Sequence, residues 1–164
     1  MAARTLRICD FNSEAAVAVD FVRWQAALLR DLAAYAPLTR GRAVESVFFG
    51  GGTPSLMPPA LVAQILAAVR LQWTLTDDAE ITLEANPGTV DRGRFRALRA
   101  AGVNRLSIGV QSFDDDALRL LGRSHGAAEA RAAVEAAHAV FPRVSFDLIY
   151  GLPGQTRTAW ARAL

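Results

Sequence analysis

The stretch Arg105-Leu-Ser-Ile-Gly-Val-Gln111 alternates between apolar residues and small or polar ones. Successive side chains of a strand point to opposite faces, so Leu106, Ile108 and Val110 share one face while Ser107, Gly109 and Gln111 share the other. The same alternation returns in Val144-Ser-Phe-Asp-Leu148, where Ser145 and Asp147 form the polar set, and Thr82 and Glu84 do so between Ile81 and Ala85. A sheet covered by helices on both sides calls for apolar residues on both faces. One apolar face and one small, polar face suit an incomplete (β/α) TIM-type barrel, with parallel strands, helices on the outer face and a ligand cavity inside. Glu84, Gln111 and Asp147 fall at C-terminal strand ends, where barrel enzymes place their chemistry.

Working outward, strand and helix patterns alternate along the chain, which places it in the α/β class with right-handed crossovers. Val17, Phe21, Trp24, Leu28 and Leu32 recur at spacings of four and three, predicting a helix of about five turns after Ser13. Parallel strands are expected at about 44–49, 80–84, 104–110 and 143–149. Between them lie helices starting near Pro58-Pro59, spanning about 91–101, capped by Asp114, and running over about 127–140. Gly50-Gly51-Gly52, Asn86-Pro87-Gly88 and Gly151-Leu-Pro-Gly154 punctuate the strand ends.

The 164 residues are 52% hydrophobic and 21% charged, the composition of one globular domain. No apolar run is long enough to span a bilayer, and the N-terminus lacks the apolar core of a signal peptide, so a cytoplasmic location is expected. The formal charge of +2 comes from arginines spread along helices, without a basic cluster that would bind nucleic acid. The single cysteine, Cys9, cannot make an internal disulfide or a complete cysteine metal site.

Five motifs, in order, carry a resemblance: Phe48-Phe-Gly-Gly-Gly-Thr-Pro-Ser55, Leu83-Glu-Ala-Asn-Pro-Gly88, Leu106-Ser-Ile-Gly-Val-Gln-Ser-Phe113, Leu121-Gly-Arg-Ser-His125 and Phe146-Asp-Leu-Ile-Tyr-Gly-Leu-Pro-Gly-Gln155. Together they resemble the radical S-adenosylmethionine (SAM) enzymes of the oxygen-independent coproporphyrinogen III oxidase and haem chaperone type. The resemblance implies that Gly51, Gly52 and Thr53 hold the SAM amino group, that Glu84 contacts SAM, and that Asp147 binds its ribose hydroxyls. Gln111 would bond similarly, and the Arg123 fork would pair with the SAM carboxylate. His125 reads as a solvated loop residue and His138 as a partly buried helix residue; neither is assigned to metal or haem.

The family holds a [4Fe-4S] cluster on three cysteines spaced C-x₃-C-x₂-C, because such clusters need thiolate ligands. Cys9 fits the third position and is the sole remaining candidate ligand, while Leu6 and Ala2 stand at the other two. The sequence therefore reads as residues 1–164 of a partial radical SAM core, short at both ends, with poor solubility expected from uncovered sheet edges. In full-length relatives reductive SAM cleavage yields a 5′-deoxyadenosyl radical. The small-molecule partners implied are SAM and either haem or a porphyrinogen. Three readings stay open: a haem chaperone, favoured by Cys9-Asp-Phe-Asn-Ser13 and Leu121–His125; an oxidase that decarboxylates coproporphyrinogen III; and an inert fragment.

Overall fold

The computed structural model describes residues 18–89 and 91–163. Among them the elements run α1 (Phe21–Tyr35), β1 (Ala43–Phe49), α2 (Pro59–Gln72), β2 (Thr74–Ala85), α3 (Arg92–Ala100), β3 (Arg105–Gln111), α4 (Asp115–Leu120), α5 (Ala127–His138), β4 (Arg143–Leu148) and α6 (Arg157–Ala163). The strands form one sheet in the order β1-β2-β3-β4, every neighbouring pair parallel.

Helix starts follow their capping residues. The side chains of Asp20, Asp91 and Asp114 each accept from a backbone N–H three residues on, satisfying a donor that the first turn leaves free. Asp20 sets the start of α1 at Phe21, so the described helix is shorter than the five-turn pattern; the expected start after Ser13 lies outside the described residues. β2 begins at Thr74, well before the expected strand. Its register against β1 jumps from Val44↔Leu75 to Ser46↔Glu80, so the exposed Asp77 and Asp78 are accommodated as an irregularity. Aspartates disfavour a regular ladder, which is why the residues before Glu80 do not read as strand.

The parity argument holds in the two central strands. Ile81, Leu83, Ala85, Leu106, Ile108 and Val110 are all buried against Val62, Ile65 and Leu66 of α2, Phe95 and Leu98 of α3, and Ala130 and Ala137 of α5. Burying a leucine or isoleucine side chain contributes about 1.5–3 kcal/mol, so this single face carries most of the driving force. Phe95 meets Phe141 edge-on at 5.7 Å between ring centroids, tying α3 to the end of α5. At the edges the pattern is looser. Phe146 of β4 has the apolar parity yet is 40% exposed, leaning edge-on against Phe113 at 5.6 Å, because an edge strand has helix cover on one flank only.

The other face is layered. At the N-terminal end Glu80 pairs with Arg105 at 3.3 Å and Arg143 at 3.4 Å. Above them Arg105 donates to Thr82 and Ser145, and Ser145 reaches Ser107. This network closes the floor beneath the strand ends, as interior layers do in barrels. Toward the C-terminal end the same face carries Glu84, level with Ser107, and then Gly109 and Asp147.

Candidate functional site

Each strand delivers its part of the site through a local backbone feature. After β1, Gly51 and Gly52 adopt φ of 81° and 60°, the left-handed region that glycine enters without a steric penalty. The Gly51 N–H donates to Glu84 Oε2 at 3.2 Å, so the β2 carboxylate anchors the glycine turn as well as facing the cavity. At Gly50 a Cβ would stand 2.8 Å from the ring of the exposed Phe48, which would have to turn aside.

The glycine turn is also tied to the turn after β2. Ser55 Oγ lies 2.9 Å from Thr89 Oγ1, which donates to the Asn86 carbonyl. From α3, the Arg94 guanidinium donates to the carbonyls of Ser55 and Met57. Arg94 and Thr89 were not legible as site-supporting residues; Arg94 sits among other arginines of an ordinary-looking helix, and only the fold aims it at these carbonyls.

At the end of β3 the backbone departs from a regular strand. Gln111 has φ of 68°, and the register with β4 slips between Ile108 and Gln111. Arg123, from the loop after α4, donates through Nη2 to the Gly109 carbonyl at 2.7 Å, while its Nε is buried without a hydrogen-bond partner among the described residues. Burial pushes its pKa below the usual arginine value, although a guanidinium stays charged. His125 is not solvated, as the loop position suggested, but buried, with Nε2 3.0 Å from the Val110 carbonyl. His138 is exposed rather than partly buried, since it ends α5.

These features enclose a cavity of about 270 Å³ lined by Gly52, Thr53, Glu84, Ser107, Gly109, Gln111, Arg123 and Asp147, among others. Six of the seven residues expected to bind SAM therefore converge at the C-terminal edge of the sheet, and Gly51 joins them through its bond to Glu84. Among the described residues the ion pairs are Arg105–Glu80, Arg143–Glu80 and Arg119–Asp116. Arg123, Glu84 and Asp147 are thus charged and unpaired around one cavity. Arg123 and Glu84 are half-buried and Asp147 is exposed, so the rim offers one cation and two carboxylates to a polar ligand bearing charges of both signs. A second cavity, at the opposite end beside Arg42, Arg70 and Trp73, carries no carboxylate.

SAM fits this donor set: a guanidinium without an ion-pair partner among the described residues for a carboxylate, carboxylates for an ammonium and hydroxyls, and an open glycine turn. A [4Fe-4S] cluster does not fit, because the sequence holds one cysteine and no cluster of three metal-ligating side chains occurs among the described residues. Cys9 itself, with the Leu6 and Ala2 positions, lies outside the described residues.

Comparison with known proteins agrees with this geometry. Residues 7–164 match the model of the radical SAM superfamily. The chain is 48% identical over 157 residues to the bovine radical S-adenosyl methionine domain-containing protein 1, mitochondrial, covering 95% of this chain and 36% of that protein. It is 46% identical over 153 residues to the heme chaperone HemW of Escherichia coli, covering 90% of this chain and 40% of that one. The solved coproporphyrinogen III oxidase HemN of Escherichia coli superposes with a TM-score of 0.76 at 34% identity, over 87% of this chain and 33% of that protein. The chain spans between a third and two fifths of the length of these relatives. A four-stranded parallel sheet with its apolar face under helices, and a match over nearly its whole length, place the chain in the radical SAM superfamily.

Proposed function

We propose that this chain is the SAM-binding part of a protein of the haem chaperone branch. The observation that carries the reading is the convergence of unpaired Arg123, Glu84 and Asp147 with the glycine turn on one cavity. In this reading Arg123 pairs its free guanidinium edge with the SAM carboxylate. Glu84 and the turn Gly51-Gly52-Thr53 orient the amino group, and Asp147 and Gln111 take the ribose hydroxyls. Bound to a reduced cluster, SAM would supply a 5′-deoxyadenosyl radical; this chain's residues position SAM and do not supply that cluster.

The similarity to a protein named as a heme chaperone favours haem as the second partner, and the motifs Cys9–Ser13 and Leu121–His125 point the same way. The structural likeness to a coproporphyrinogen III oxidase keeps oxidative decarboxylation as the alternative. No described helix is long and apolar enough to cross a membrane. A cytoplasmic setting belongs to the proposal, and cell fractionation tests it against the mitochondrial location in the bovine relative's name. SAM affinity of the chain is expected to be weak, since each hydrogen bond contributes only about 0.5–1.5 kcal/mol net. Titration with SAM followed by amide chemical shifts tests the site: shifts at Gly52 and Thr53 should appear in the parent and fade in Asp147→Ala and Glu84→Ala. Shifts elsewhere, unchanged by both substitutions, would remove these residues from the site. Haem binding by the parent, read from its visible absorption and set against coproporphyrinogen, separates the two branches.

A further inference from the structure

His125 belongs to no role assigned so far. It is 3% exposed, in the loop between α4 and α5, and its Nε2 lies 3.0 Å from the Val110 carbonyl oxygen. A carbonyl can only accept, so Nε2 carries the proton and donates, leaving Nδ1 buried as a bare lone pair without a partner among the described residues. Two residues earlier, Arg123 donates to the Gly109 carbonyl at 2.7 Å, and from the end of β4 the Ile149 N–H donates to the Gln111 carbonyl at 2.9 Å. Three successive carbonyls, of Gly109, Val110 and Gln111, are each held by a different donor. They are held where the β3–β4 register slips and where Gln111, with φ of 68°, is the sole described non-glycine in the left-handed region. Such a backbone persists only where its surroundings over-determine it.

We propose that His125 is a positioning residue: by donating to the Val110 carbonyl it locks the left-handed turn at Gln111, and so sets the Gln111 side chain and the facing end of β4 against the cavity. It touches no ligand; its action passes through the backbone. Only its effect on SAM rests on the function proposed above.

Two variants of similar polarity test it. The glutamine amide nitrogen can reach the position of Nε2, whereas the asparagine amide stops near Nδ1. In the full chain, amide hydrogen exchange at Ile149 should quicken about tenfold in His125→Asn, the effect of one lost buried hydrogen bond, and stay within about twofold of the parent in His125→Gln. The Asn104 amide, bonded to the Ile81 carbonyl at the far end of the sheet, serves as control and should not move in either. Long-range ¹H–¹⁵N spectra of the parent should give the neutral Nε2–H tautomer. SAM-induced shifts at Gly52 should weaken in His125→Asn and return in His125→Gln. An Nδ1–H tautomer, or equal Ile149 exchange in the two variants, would overturn the proposal. A parent that does not respond to SAM would instead sink the function reading, and the tautomer and exchange data would still decide the lock.

Discussion

Gly109→Ala separates what the fold needs from what the cavity needs. Gly109 has no left-handed backbone, so alanine enters β3 without backbone strain and lowers the entropy of the unfolded chain, worth about 0.4–1 kcal/mol in favour of folding. The added Cβ, however, would stand 3.2 Å from Gln111 Nε2, tighter than ordinary contact, and 3.4 Å from Arg123 Nη2, at the near limit of ordinary contact. Gln111 Nε2 ends a flexible side chain, so it moves and the strand does not. The motion turns the Gln111 amide away from its place and crowds Arg123 beside its bond to the Gly109 carbonyl, and one charge-assisted bond to a ligand is worth about 1.5–3 kcal/mol. Urea denaturation should therefore give a stability within about 1 kcal/mol of the parent, while SAM-induced shifts at Gly52 and Thr53, read at one sub-saturating concentration, fall about tenfold. A variant destabilised by more than about 2 kcal/mol with unchanged SAM response would mean that Gly109 is a packing residue and that Arg123 and Gln111 are not aimed at SAM.

Two further outcomes follow from single residues. Anaerobic reconstitution with iron and sulfide should leave the monomer without a stoichiometric [4Fe-4S] cluster, since one thiolate stands where three are required; iron counting and the cluster's visible absorption check this, with a Cys9→Ser control excluding bridging between chains. Stability should fall through His125 as pH drops below the ordinary histidine pKa of about 6.5. Burial lowers its pKa chiefly, Arg123 lowers it further, and the Val110 bond and Glu129 oppose them. The native state then binds fewer protons than the unfolded chain, so stability is full above the ordinary histidine range and is lost as pH drops through it. His125→Gln should flatten that slope in urea midpoints, and an unchanged slope would mean that His125 does not titrate with folding.

Strand parity in β2 and β3, the glycine turns and the Asp114 cap were legible because they depend on neighbours in sequence: period-two alternation, the φ freedom of glycine, and a carboxylate three residues from a free N–H. Those local rules were enough to place Glu84, Gln111 and Asp147 at one sheet edge, since parallel strands align their C-terminal ends. What the sequence could not determine depends on where remote segments meet. Asp77 and Asp78 fall outside the strand expected at about 80–84, yet pairing of Thr74 and Leu75 with β1 draws them into it. Phe146 keeps its parity but loses its cover because nothing in its own stretch says that β4 lies at an edge. His125 looked like any loop histidine until the chain between α4 and α5 folded it under β3. Arg94 likewise needed α3 to lie beside the glycine turn. Backbone preference is written residue by residue, whereas burial and the partner of a long polar side chain are decided only when the sheet has assembled.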